Sequence, residues 1–200
     1  MSNTDWTGNS RSAHAILGAR NYAHEDRQTD DYYATEPKAA VLLMDVEKFS
    51  PMIWECACGE GHLSKEFEKA GYQVYSTDLI DRGYGGIQDF LLSVAPPLPG
   101  FDIITNPPYK YATEFVDHAM EIIDPGHKVA MFLKLQFLEG KQRKELFRKW
   151  PPKTVYVSSS RLHCAMNGDF EKYGKSNAIA YAWYVWEKGY HGETVIKWIN

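Results

Sequence analysis

Residues 52–78, MIWECACGEGHLSKEFEKAGYQVYSTD, decide the fold. Met52 to Glu55 is a short apolar run entering a glycine-containing turn, the pattern of a buried strand. His62 to Ala70 reads as a helix, with Gly71 closing its C-terminal end. Tyr72 to Thr77 reads as a second strand. Strand, turn, helix and strand make one βαβ unit, so the two strands should lie parallel with a right-handed crossover.

The alternation continues outward. Pro37 to Glu47 reads as a helix with proline at an early position. Phe101 to Thr105 reads as a strand, Thr113 to Ile123 as a helix, Lys128 to Leu135 as a strand and Gly140 to Lys149 as a helix. Thr154 to Ser158 is a strand and Asn177 to Glu187 a long final one. The expectation is an α/β domain with a mainly parallel sheet and helices on both faces. The last two strands are joined by a loop, so they should add an antiparallel edge. An open sheet of this kind binds ligands beyond the carboxyl ends of its strands.

Bulk properties narrow the class. The 200 residues, 44% hydrophobic and 24% charged, suit one globular domain. Residues 1–30 are polar without apolar period and read as a flexible arm, leaving 31–200 as the domain. No apolar run approaches the roughly 20 residues of a membrane span, and no signal-peptide core is present, which points to the cytoplasm and to no membrane partner. Cys56, Cys58 and Cys164 have neither disulfide arithmetic nor zinc spacing, so no metal is expected. A monomer is expected. The net charge of −4 does not announce a polyanion ligand. Charge location does: Lys134, Lys141, Arg143, Lys144, Arg148, Lys149 and Lys153 face only Glu139 and Glu145 over 134–153. The other reading of this stretch is a solvated helix face.

Two strand ends carry the candidate chemistry. In Glu55-Cys56-Ala57-Cys58-Gly59-Glu60-Gly61 the glycines permit a sharp turn and close backbone approach, and the next helix points free N–H groups at a carboxylate. Glycines also serve tight turns for geometry alone. The dinucleotide pattern G-x-G-x-x-G is absent, and Glu55 is a poor neighbour for pyrophosphate but a good one for ammonium. A ligand with both carboxylate and ammonium is an amino acid, and methionine is that part of S-adenosyl-L-methionine. Asp78, followed by Leu79, stands about 20 residues after the glycines, where a carboxylate accepts from both ribose hydroxyls; the alternative is a helix N-cap. Asp89 and Phe90 are candidates for the adenine amino group and ring, the alternative being that Asp89 simply opens a helix.

Asn106-Pro107-Pro108-Tyr109 directly follows the strand FDIIT. The prolines lock the backbone and remove two donors, leaving a rigid turn that presents carbonyls and the Asn side chain. An exocyclic amine conjugated to a ring is a poor nucleophile. Hydrogen bonds accepted from its N–H groups by Asn106 Oδ1 and the Pro107 carbonyl return electron density to nitrogen. Tyr109 would stack on the plane of the base.

In the order and spacing of the glycine loop, Asp78 and Asn106–Tyr109, the chain resembles the class I S-adenosylmethionine-dependent amino-methyltransferases over roughly residues 31–187. It is similar to the small phage-type DNA N6-adenine methyltransferases. The resemblance implies a Rossmann-like, seven-stranded sheet with the last strand antiparallel. It implies that Tyr33, Thr35 and Pro37 contact the methionine end of the cofactor, along with Glu55, Cys56, Ala57, Gly59 and Gly61 of the first motif. Ala57 stands where many members have glycine. The implied activity is methyl transfer to N6 of a flipped adenine in DNA, with Lys134, Lys141, Arg143 and Lys144 on the nucleic acid. RNA adenine, a protein glutamine amide, or binding without catalysis are the alternatives. No recognition domain follows the tetrapeptide, so target contacts fall to loops 109–113, 136–144 and 161–176.

Overall fold

The computed structural model describes residues 33–141, 143–166 and 179–200; the arm assigned to residues 1–30 lies outside them. In chain order the elements are β1 (Tyr33–Thr35), α1 (Lys38–Val46), β2 (Met52–Glu55), α2 (His62–Lys69), β3 (Gln73–Asp78), β4 (Gly86–Ile87) and β5 (Phe101–Thr105). There follow α3 (Ala112–Ile122), β6 (Lys128–Lys134), α4 (Arg143–Lys149), β7 (Thr154–Ser158), β8 (Cys164–Met166), β9 (Tyr181–Glu187) and β10 (Val195–Ile199).

Eight strands form one sheet in the order β10-β7-β9-β6-β5-β2-β3-β4. The strands β4, β3, β2, β5 and β6 are mutually parallel. From β2 the chain winds first to β3 and later to β5 on the other side, so the β2/β5 boundary is the switch point at which such folds open a crevice. Alternation along each strand divides the core. Trp54, Ile103, Val129 and Met131 pack with Phe115, Val116 and Met120 of α3 and Leu146 of α4. Ile53, Ile104, Ala130 and Phe132 pack with Leu43 of α1 and Leu63 and Phe67 of α2. The expected two helical layers are therefore present.

Two expectations about the end of the sheet are corrected. The strand β9 is not an edge: it lies between β6 and β7, antiparallel to both. Its sequence YAWYVWE is buried on both faces as far as Trp186. The sheet has eight strands, not seven, because β10 extends it parallel to β7. Trp198 on β10 is 71% exposed, as befits a true edge. A separate two-stranded sheet pairs β1 with β8, Thr35 opposite Cys164 and Tyr33 opposite Met166.

Candidate active site

Because β2, β3 and β5 run parallel, Glu55, Asp78 and Asn106 all leave the sheet at one edge. Lys134, ending β6, and Tyr181, beginning the antiparallel β9, meet that edge too.

The glycine loop is braced by Asp78. Its Oδ2 accepts from Gly59 N at 2.8 Å and its Oδ1 from Ile80 N at 3.0 Å. A carboxylate has about four acceptor positions, so each oxygen retains capacity for a further donor. Gly59 and Gly61 have φ of +55° and +76°, the left-handed region that favours glycine. At Gly61 the close approach comes from the protein: a Cβ there would stand 2.3 Å from the Tyr84 ring. Tyr84 also donates to Glu68 Oε1 and lies under Lys65 Nζ, so it straps the outer side of α2.

Glu55 is 2% exposed and accepts from Ser64 Oγ of α2, which also lies 2.7 Å from Ser76 Oγ. Burial, opposed in part by the Ser64 hydrogen bond, pushes its carboxyl up to about 8. Glu55 thus has a protein partner beneath the loop. Cys56 is buried and its thiol is raised well above the ordinary range by burial, so it packs rather than reacts. Ala57 is half-buried against the core.

At the other end of the expected cofactor site, Asp89 Oδ1 accepts from Leu91 N and caps a single 3-10 turn, Phe90–Leu92. This is the simpler of the two readings of Asp89. Phe90 is a core residue, contrary to the ring-facing role expected of it. It is 2% exposed, with ring centroids of Trp54, Phe115 and His118 at 5.2, 4.9 and 5.0 Å. The turn that Asp89 caps directs this ring inward. Leu79 is 63% exposed just past Asp78.

Asn106 is the best-defined group. Its Nδ2 donates to the Tyr33 carbonyl of β1 at 2.9 Å and lies 3.9 Å from Cys164 Sγ of β8. A carbonyl accepts only from the amide nitrogen, so this bond fixes which way the side chain faces. Oδ1 is then left buried with no hydrogen-bond partner among the described residues. The Thr35 hydroxyl of β1 and the Thr105 hydroxyl beside Asn106 are buried too, each beside a thiol, Cys164 and Cys56 respectively. Pro107 is buried, and the Pro108 carbonyl accepts from Tyr111 N, closing the turn. Pro37 stands at the N-cap position of α1, directly after the β1 segment.

Tyr109 is not the open platform expected. Its ring stacks on Tyr181 at 5.8 Å, Tyr33 approaches at 6.1 Å, Lys134 Nζ lies 4.7 Å from the ring centroid, and the hydroxyl is 3.1 Å from Cys164 Sγ. A base stacking on this ring would displace one of these neighbours.

The basic stretch is smaller than its sequence suggests. Lys149 pairs with Asp117 and Glu121, Lys153 with Glu187, and Arg148 with Glu145. Arg143 is turned onto the Glu139 and Gln136 carbonyls and the Phe137 ring. Lys134, Lys141 and Lys144 make no ion pair among the described residues. Of the three recognition loops, 109–113 is a 3-10 turn running into α3, and 136–144 a second such turn running into α4. Gln142 and residues 167–178, which hold most of the third, lie outside the described residues. No group of His, Cys, Asp and Glu suited to a metal occurs among the described residues, and no helix there is long and apolar enough to cross a membrane.

No family model and no curated protein matches the sequence. Solved structures do match the fold. One, from Listeria monocytogenes and assigned as a class I S-adenosylmethionine-dependent methyltransferase, superposes with a TM-score of 0.57 at 13% identity, over 94% of this chain and 71% of its own. A TehB-like S-adenosylmethionine-dependent methyltransferase from Corynebacterium glutamicum gives 0.51 at 12%, over 89% and 98%. A protein from Pyrococcus horikoshii assigned as an RNA methyltransferase gives 0.51 at 14%, over 76% and 81%. The chain has the Rossmann-like fold of these proteins.

Proposed function

We propose that the chain is an S-adenosylmethionine-dependent methyltransferase that methylates an exocyclic amino group, N6 of adenine in DNA. One observation carries the reading: Asn106 Nδ2 is tied to the Tyr33 carbonyl while Oδ1 is buried at the switch-point edge with no partner among the described residues. A buried acceptor without a donor costs about 1–3 kcal/mol, and an amino group is the donor that would satisfy it.

The residues present fit the cofactor. Asp78 has acceptor capacity left for ribose hydroxyls, exposed Leu79 would wall the adenine, and Asp89 has one oxygen uncommitted to its turn. The loop through Gly59 and the start of α2 would take the carboxylate, Glu55 the ammonium, and Thr35 would approach from β1. When bound, S-adenosylmethionine supplies a methyl group on a positively charged sulfur. The chain's own residues set the amine for it. Asn106 Oδ1 and the Pro107 carbonyl accept its two N–H groups and leave the nitrogen lone pair aimed for in-line attack. The methyl carbon would pass from sulfur to this nitrogen, and the product nitrogen would lose a proton to solvent. Positioning supplies most of the rate, so no strong base is needed. Tyr109, backed by Tyr181, walls the acceptor, and Lys134 is the neighbour that a stacking base would displace toward a phosphate.

RNA adenine is the second reading, favoured by the likeness to the Pyrococcus horikoshii protein. Tritium transfer from labelled cofactor into separate DNA, RNA and protein pools tests both. Label in DNA supports the first reading, label in RNA the second, and label in neither excludes both.

A further inference from the structure

Cys164 is the residue of the site that sequence reasoning left without a role. It lies in β8, opposite Thr35 of β1. Its Sγ is 3.1 Å from the Tyr109 hydroxyl and 3.9 Å from Asn106 Nδ2, so one sulfur touches both ends of the proline turn. The neighbouring strand supplies the other half of the grip, since the Tyr33 carbonyl accepts from the same Nδ2.

Counting donors shows what this does. A side-chain amide has two N–H donors and one acceptor oxygen. In Asn106 the nitrogen faces the Tyr33 carbonyl and the Cys164 sulfur, and the oxygen has no partner among the described residues. A rotated amide would set Oδ1 against the Tyr33 carbonyl, two acceptors facing each other. The paired strands therefore hold Asn106 as an acceptor toward the substrate side. The same sulfur holds the Tyr109 hydroxyl, which fixes the ring that walls that side.

We propose that Cys164 is a positioning residue for methyl transfer, acting through Asn106 and Tyr109 as the shared post to which both are fastened. The inference rests on the reading of Asn106 as the group that accepts from the substrate amine. Burial pushes the Cys164 thiol up to about 12, so it is a neutral S–H group at working pH, suited to hydrogen bonding and not to nucleophilic attack.

The test compares Cys164→Ala, Cys164→Val and Cys164→Ser in the full chain, with two readouts. The first is single-turnover transfer to an adenine-containing DNA oligonucleotide, alongside S-adenosylhomocysteine affinity by calorimetry. The second needs no acceptor: nitration of Tyr109 by tetranitromethane, read by peptide mass spectrometry, with exposed Tyr75 and Tyr111 as internal references. Ala and Val should slow transfer about tenfold, the worth of one ordinary hydrogen bond, with cofactor affinity unchanged and Tyr109 nitrated faster; Ser should restore both. Unchanged transfer in Ala and Val overturns the proposal. So does a parallel loss of transfer and cofactor affinity that Ser does not rescue, which is the mark of general damage. If the wild-type chain transfers nothing to the oligonucleotide, the DNA reading has failed. The nitration readout then decides alone: faster nitration in Ala and Val supports the grip of Cys164 on Tyr109, and unchanged nitration overturns it.

Discussion

Glu55 ends β2 with its carboxyl buried beneath the glycine loop and held by Ser64. Burial raises it to about 8, against an ordinary value near 4.3. A raised acid stabilises the fold in its protonated form. Its contribution is complete below the unfolded value and is lost as pH rises toward 8. The melting temperature of the cofactor-free protein should therefore fall between about pH 5 and pH 8, and Glu55→Gln should flatten that fall. The same group tests the cofactor assignment. If the ammonium of S-adenosylmethionine meets Glu55, binding below pH 8 releases a proton. Calorimetry in buffers of different ionisation heat reads that proton directly, and zero release would leave Glu55 as a brace for the loop alone.

At the scale of elements, the turn from β2 to α2 depends on Gly61 for two separable reasons: φ of +76° and the Tyr84 ring where a Cβ would stand. Gly61→Ala should cost at least about 1 kcal/mol from the left-handed backbone alone, and more from the clash. In a Tyr84→Ala background the clash component should vanish and the backbone component remain, as urea denaturation would show. The sequence offers a ligand or turn geometry for both glycines but does not show Tyr84, because a packing partner 23 residues away leaves no local signature. The boundaries of β2, β5 and β7 are legible for the opposite reason: each is a short, mostly apolar or β-branched run that stops at a local polar or proline-containing segment. YAWYVWE is legible as a strand, but its place between β6 and β7 is not, because burial of both faces reflects the helical layers and not which strands lie alongside. Three-residue strands such as β1 and β8 carry too few positions for any period to show. What they hold together, Asn106 with the Tyr33 carbonyl 73 residues earlier, follows from chain topology alone.

For the whole molecule, charge decides how a chain of net charge −4 would meet a polyanion. Four of the seven cations in the 134–153 stretch are engaged within the protein, leaving Lys141 and Lys144 together with Lys134, which lies at the site edge. Three phosphate contacts imply a salt slope of about −3 in log Kobs against log[salt], well below that of a dedicated DNA-binding surface. Lys141→Ala with Lys144→Ala should reduce that slope by about 2, whereas neutralising Lys149 should leave it unchanged. Modest electrostatic affinity fits an enzyme that finds its substrate by the shape and hydrogen bonding of one amine. The central claim is that Asn106 Oδ1, free and fixed, accepts from that amine. Single-turnover methyl transfer by Asn106→Ala, measured beside its cofactor affinity, tests this most directly. The account predicts transfer slowed by about two to three orders of magnitude, the usual cost of removing one preorganised transition-state hydrogen bond, with cofactor affinity near that of the wild-type chain. Transfer at the wild-type rate would contradict it.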